Sequence, residues 1–132
     1  MNRRTFLTAT AALAVVPFAP ARASMLDYAP GTAEAAINAG QTVFLDFAAD
    51  WCSTCRSQAR TINALRAGNP AYDSAITFYR VDWDQYGRGA LAQQLNVPRR
   101  STLIMFRGGQ EVGRIVAGTR EADIRALLDA GR

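Results

Sequence analysis

The chain has 132 residues, with 15 basic side chains, all of them arginine, 11 acidic ones, two cysteines and no histidine. That inventory excludes a structural zinc site within one chain, which needs four Cys or His ligands. Arg3, Arg4 and Arg22 precede residue 24 and no acid does, so residues 24–132 carry 12 Arg against 11 acids, a balance near +1 that offers no nucleic-acid footprint.

The first segment reads as an export leader. Arg3-Arg4-Thr5-Phe6-Leu7 opens onto a mild apolar stretch over residues 9–19, and Ala21-Arg22-Ala23 places small residues where a signal peptidase reads. Cleavage is expected after Ala23. The paired arginines resemble the twin-arginine signal, and the Ala- and Thr-rich core is less apolar than most general secretory leaders. Pro17 and Pro20 interrupt the run, which falls short of the roughly 20 apolar residues a membrane span needs, so no stable membrane insertion is expected after cleavage.

Residues 24–132 suffice for one domain with a single modest core. Gly31 or Thr32 can cap a short helix over residues 33–39, and residues 42–47 form an apolar run rich in Val, Phe and Leu that predicts a buried strand. A helix is expected over residues 52–67, stopped by Gly68-Asn69-Pro70. Residues 76–81 predict a second strand, 87–95 a short helix, and 102–106 a third strand whose lack of polar alternation implies burial on both faces. Gly108-Gly109 predicts a hairpin turn into a strand over 111–117, and residues 121–130 close the chain as a helix with Ile124, Leu127 and Leu128 on one face. A right-handed crossover makes the first two strands parallel and the hairpin pair antiparallel, which gives a mixed α/β sheet with helices on both sides.

Trp51-Cys52-Ser53-Thr54-Cys55 stands at the junction of the first strand and its helix. Two sulfurs separated by two residues can close a disulfide within one helical turn. The first lies among the unpaired N–H groups of the helix start, where the dipole favours a thiolate. Cys52 is therefore expected to attack and Cys55 to resolve. Covalent haem attachment would need His after Cys55, and the residue is Arg56. As a mere staple so short a loop removes only roughly 2 kcal/mol of unfolded-state entropy, which favours the redox reading.

The segment Asp46-Phe47-Ala48-Ala49-Asp50-Trp51-Cys52-Ser53-Thr54-Cys55 resembles the active-site segment of thioredoxins, and Thr102-Leu103-Ile104-Met105-Phe106-Arg107-Gly108-Gly109 resembles their late hairpin. Ala49-Asp50-Trp51-Cys52 is also similar to the C-terminal domain of the bacterial transmembrane disulfide reductase. The resemblance implies a thioredoxin-like α/β fold, a mixed sheet of four to five strands with helices on both faces. It makes Asp46 the buried acid that moves a proton to or from Cys55, a task suited to a desolvated carboxyl whose pKa rises toward neutrality. Arg80 falls where the family has a basic partner for that acid, Trp51 where it shields the sulfurs, and Gly118 beside the substrate groove, where a missing side chain admits another backbone.

One position departs from the family. Thioredoxins place a cis-proline directly before the Thr-Leu of the third strand, and here that residue is Ser101. Pro98 lies three residues earlier, and shifting it into register would turn every side chain of the strand over. A cis bond without proline costs roughly 3–4 kcal/mol, so Arg100-Ser101 is expected to be trans. Ser101 can hydrogen-bond a sulfur, while Arg99 and Arg100 on the same loop can favour the Cys52 thiolate or an acidic substrate. Taken together, the leader, the cysteine pair and the resemblance imply an exported thiol–disulfide oxidoreductase acting in the periplasm as a reductase, with protein disulfides as substrates, a membrane-embedded thiol as electron donor and no cofactor. The alternatives are a disulfide-forming oxidant and a dithiol module that binds a metal or iron–sulfur centre between two chains.

Overall fold

The computed structural model describes residues 12, 14, 15 and 25–132; the rest of the expected leader and its cleavage point lie outside the described residues. Five strands form one mixed sheet in the order β1-β3-β2-β4-β5, built from β1 (Leu26–Asp27), β2 (Val43–Ala48), β3 (Thr77–Asp82), β4 (Thr102–Arg107) and β5 (Gln110–Val116). β3 runs parallel to both β1 and β2, while β4 is antiparallel to β2 and β5. The helices are α1 (Thr32–Asn38), α2 (Ser53–Gly68), α3 (Ala71–Ala75), α4 (Trp83–Tyr86), α5 (Ala90–Gln94) and α6 (Glu121–Asp129). None of the helices among the described residues is long and apolar enough to cross a membrane.

The two central strands divide the molecule into two cores. All six residues of β2 are buried. Val43, Leu45 and Phe47 point to one side, where they meet Tyr79, Val81, Ile104 and Phe106 together with Ala33 and Ala36 of α1 and Leu91 of α5. Phe44 points to the other, with Phe78, Leu103 and Met105, under Ile62 of α2 and Ile124, Leu127 and Leu128 of α6. Period-two alternation puts Asp46 on this second face, beneath α2. The doubly buried third strand expected from sequence is therefore found, with Thr102 to Phe106 all buried.

Several boundaries differ from expectation for local reasons. Cys52 is the N-cap of α2, in extended conformation, rather than its first helical residue. The helix expected over 87–95 is confined to Ala90–Gln94, because Gly89 is extended and serves as its N-cap. The unforeseen α4 precedes it, nucleated where the Asp82 carboxylate accepts the Asp84 N–H. Beyond the end of α2, Pro70 is the N-cap of α3 instead of opening a plain loop. Gly108 and Gly109 both adopt positive φ, 60° and 79°, the pairing that a two-residue turn needs to match strand twist.

Candidate functional site

The site gathers at the C-terminal end of β2, the start of α2 and the loop that enters β4. Cys52 and Cys55 are free thiols, each 3% exposed. The Cys55 thiol donates to Cys52 Sγ at 2.7 Å, and the Cys55 backbone N–H donates to the same sulfur at 3.2 Å. Cys52 thus caps its own helix, using sulfur where a serine or aspartate oxygen would ordinarily serve.

Ser101 completes the sulfur environment. It is fully buried, with φ of 63°, and the bond before it is trans. Its Oγ lies 3.2 Å from Cys52 Sγ and 3.1 Å from Cys55 Sγ. The backbone is pinned from three directions: its N–H donates to Phe47 O at 2.7 Å, and its carbonyl accepts from Ala117 N–H at 2.9 Å and from Gln58 Nε2 at 3.0 Å. Those three bonds hold a β-carbon-bearing residue in the left-handed region, where it is intrinsically disfavoured.

Electrostatics separates the two cysteines. Burial alone pushes the Cys52 thiol up, but hydrogen bonds from the Cys55 thiol, the Ser101 hydroxyl, the Cys55 N–H and Arg100 outweigh it and bring the group down to about 6. Cys55 moves the other way, raised by burial and by its bond to Cys52 against the opposing Ser101 contact. The pair is therefore poised with the charge on the first sulfur and the proton on the second.

Behind the dithiol, Asp46 is 3% exposed, and its Oδ1 has no hydrogen-bond partner among the described residues. Burial raises its pKa to about 7, opposed by the Arg80 charge and reinforced by the Cys52 charge. Arg80 is the register partner of Asp46 across β2 and β3, yet the salt bridge it makes is to Asp50, at 2.8 Å. Arg80 therefore acts on Asp46 through its charge alone, while Asp50 holds the guanidinium. Asp46 and Cys55 line one cavity of about 590 Å³ with Arg56, Asn63 and Arg80.

The remaining candidates occupy the rim. Trp51 is 57% exposed, its indole N–H held 3.0 Å from both Asp84 oxygens, and the Arg100 guanidinium stacks 4.4 Å from its ring centre. Arg99 Nε donates to Arg100 O at 3.0 Å. The carbonyl of Gly118 accepts from Gln58 Nε2 at 2.9 Å, and a Cβ on Gly118 would fall 2.8 Å from Ile115. No group of three or more Cys, His, Asp or Glu among the described residues is placed to hold a metal ion.

Sequence reasoning missed Gln58 and Asp84. Gln58 had a detectable signal. Cys55, Gln58, Ile62 and Arg66 form the buried stripe of α2, and an amide on such a stripe must find polar partners below it. Asp84 had none, since the Trp51 contact spans 33 residues of chain.

The thioredoxin family model matches residues 27–130. Thioredoxin of Echinococcus granulosus is 35% identical over 97 residues, which cover 74% of this chain and 84% of that protein. Thioredoxin-1 of Saccharomyces cerevisiae is 33% identical over 97 residues, 74% of this chain and 87% of the yeast protein. Among solved structures, Trxlp from Edwardsiella tarda aligns with a TM-score of 0.67 at 32% identity, covering 79% of this chain and 98% of that one. With its paired sulfurs at the strand–helix junction of this sheet, the chain belongs to the thioredoxin family and has the family's thiol–disulfide oxidoreductase activity.

Proposed function

We propose that this protein is an exported reductase of protein disulfides. The observation that carries the reading is the asymmetric dithiol, with Cys52 lowered to about 6 and Cys55 raised. At neutral pH Cys52 is the nucleophile. Its thiolate attacks one sulfur of a substrate disulfide, a Cys52–substrate bond forms, and the other substrate sulfur leaves as a thiolate that takes up a proton. Cys55 then gives its proton to Asp46 across their shared cavity and attacks Cys52 Sγ, which leaves the chain oxidised and releases the second substrate sulfur as a thiolate that takes a proton from solvent. An acid with a pKa of about 7 suits that transfer, because it is half ionised at the working pH.

Ser53 and Thr54 stand between the two sulfurs without the His found in the strongest oxidants of the family, which supports the reducing direction. The Arg3-Arg4 leader supports twin-arginine export to the periplasm. A reductase working there needs electrons carried across the membrane, and the likeness of Ala49-Asp50-Trp51-Cys52 to the transmembrane reductase supports a membrane-embedded thiol donor.

Equilibration against glutathione tests the direction: a potential below about −200 mV is expected, and one near about −120 mV would make the protein an oxidant. Cys55→Ser should accumulate covalent adducts in periplasmic extract and Cys52→Ser none. Replacing Arg3 and Arg4 by lysine should retain the protein in the cytoplasm; unimpeded export would refute the twin-arginine route.

A further inference from the structure

Arg100 is held beside the nucleophile without a carboxylate to balance it. No acidic side chain among the described residues forms a salt bridge with it, and its Nε is buried without an acceptor. Its guanidinium lies on Trp51 and supports the Cys52 anion. Two acids of the same rim are committed elsewhere, Asp84 to the Trp51 indole and Asp50 to Arg80. Arg99, adjacent in the loop, also lacks a salt bridge among the described residues, so the rim facing Cys52 is net cationic although residues 24–132 are nearly neutral.

This arrangement has a consequence for the reaction cycle. In the reduced protein the Cys52 thiolate is the counter-ion of Arg100. When that sulfur bonds to a substrate sulfur it becomes neutral, and the negative charge departs on the substrate's other sulfur. Arg100 is then a partly desolvated cation with no anion, a costly state unless a new one arrives.

We propose that the substrate supplies it: Arg100, stacked on Trp51 beside Cys52, is an anion subsite that selects protein disulfides whose attacked cysteine is flanked by Asp or Glu. The carboxylate takes the place vacated by the thiolate charge, and the planar guanidinium can grip it through two parallel N–H bonds. The exposed Trp51 face beside it offers apolar surface to the neighbouring residues of an extended segment. The proposal rests on thiol–disulfide exchange at Cys52 and is indifferent to the physiological direction of electron flow.

Competition for the trapped intermediate tests it. The Cys55→Ser protein is offered equal amounts of two peptides, identical except for Glu or Gln on either side of a cysteine carried as a disulfide with a small neutral thiol. The ratio of the two protein–peptide adducts is read by mass spectrometry and normalised to the ratio that 2-mercaptoethanol gives, which removes the intrinsic reactivity of the peptides. The Glu peptide is expected to win by about five-fold at low salt and by about two-fold at roughly 0.5 M salt, the range of a partly exposed ion pair. In the Arg100→Gln background the ratio should fall to about one. Any loss of Cys52 nucleophilicity in that variant affects both peptides equally and cancels. Arg107→Gln, at the exposed far end of β4, should leave the preference intact. A ratio near one in the Arg100 protein, or a preference that survives Arg100→Gln, overturns the proposal. Absence of adducts with either peptide would overturn the exchange chemistry along with it.

Discussion

Ser101→Ala isolates the contribution of the hydroxyl between the two sulfurs. The substitution removes contacts of 3.2 and 3.1 Å and leaves the Cys55 N–H, the Cys55 thiol and Arg100 still acting on Cys52. A hydrogen bond to a charged group is worth about 1.5–3 kcal/mol, and with the other donors partly compensating, the lower end applies. That is about one pKa unit, which moves Cys52 from about 6 to about 7. At pH 7 the thiolate fraction then drops from roughly nine-tenths to one half. The reduced form loses about 1 kcal/mol of stabilisation, and the reduction potential becomes roughly 20 mV more negative. Alkylation rate against pH gives the midpoint, and equilibration with glutathione gives the potential. Ser101→Gly separates the hydroxyl from the backbone. It loses the same oxygen but relieves the left-handed strain at φ of 63°, so its midpoint should match that of alanine while its stability exceeds alanine's by about 1 kcal/mol. A midpoint within about 0.3 unit of the unsubstituted protein in both variants would refute the assignment of Ser101 as a thiolate donor.

Asp46→Asn should raise stability in a pH-dependent way. The native pKa of about 7 lies above the ordinary 3.8, so the native state binds the extra proton between those values and stability falls as pH rises through that window. The neutral amide removes the penalty, a gain of at most about 4 kcal/mol at pH 8 and little near pH 4, read by denaturant unfolding; equal gains at both pH values would contradict it. The same variant should slow resolution of the mixed disulfide, since Cys55 loses its proton acceptor. Gln58→Ala should cost about 2–4 kcal/mol by orphaning the Gly118 carbonyl and opening a buried gap, and a loss below about 1 kcal/mol would show that the amide bridge carries little. Ile62→Ala, on the fully buried face of α2, should cost a comparable 2–5 kcal/mol, about that of other core truncations, yet leave the Cys52 alkylation midpoint in place.

How much of this was readable without coordinates follows from the range of each interaction. The runs at residues 42–47 and 102–106 announce buried strands by composition alone, and the cysteine spacing announces the redox pair. Asp46 is conspicuous as a single acid in an apolar strand. The two-residue β1 and the short α3 and α4 carry too few residues for a period to register, and the bonds around Asp82 and Pro70 that start the helices are local geometry rather than pattern. Ser101 stood out by its departure from the family, but only the fold sets its hydroxyl against both sulfurs, 49 and 46 positions away in sequence. The Arg80–Asp50 pair was illegible for a related reason. Strand register brings Arg80 level with Asp46, and the long side chain reaches past it to the turn before α2.

A hydroxyl at nearly equal distance from two sulfurs has one proton and free rotation about its C–O bond. During turnover negative charge belongs first to Cys52 and later to Cys55. By swivelling, Ser101 can face its proton toward whichever sulfur is anionic and turn a lone pair toward the other, all without moving the main chain that Phe47, Gln58 and Ala117 clamp. A proline ring has no such rotor. Substituting serine at this position gives the loop a polar follower that tracks the migrating charge, so neither cysteine meets an apolar wall at the moment it becomes the thiolate.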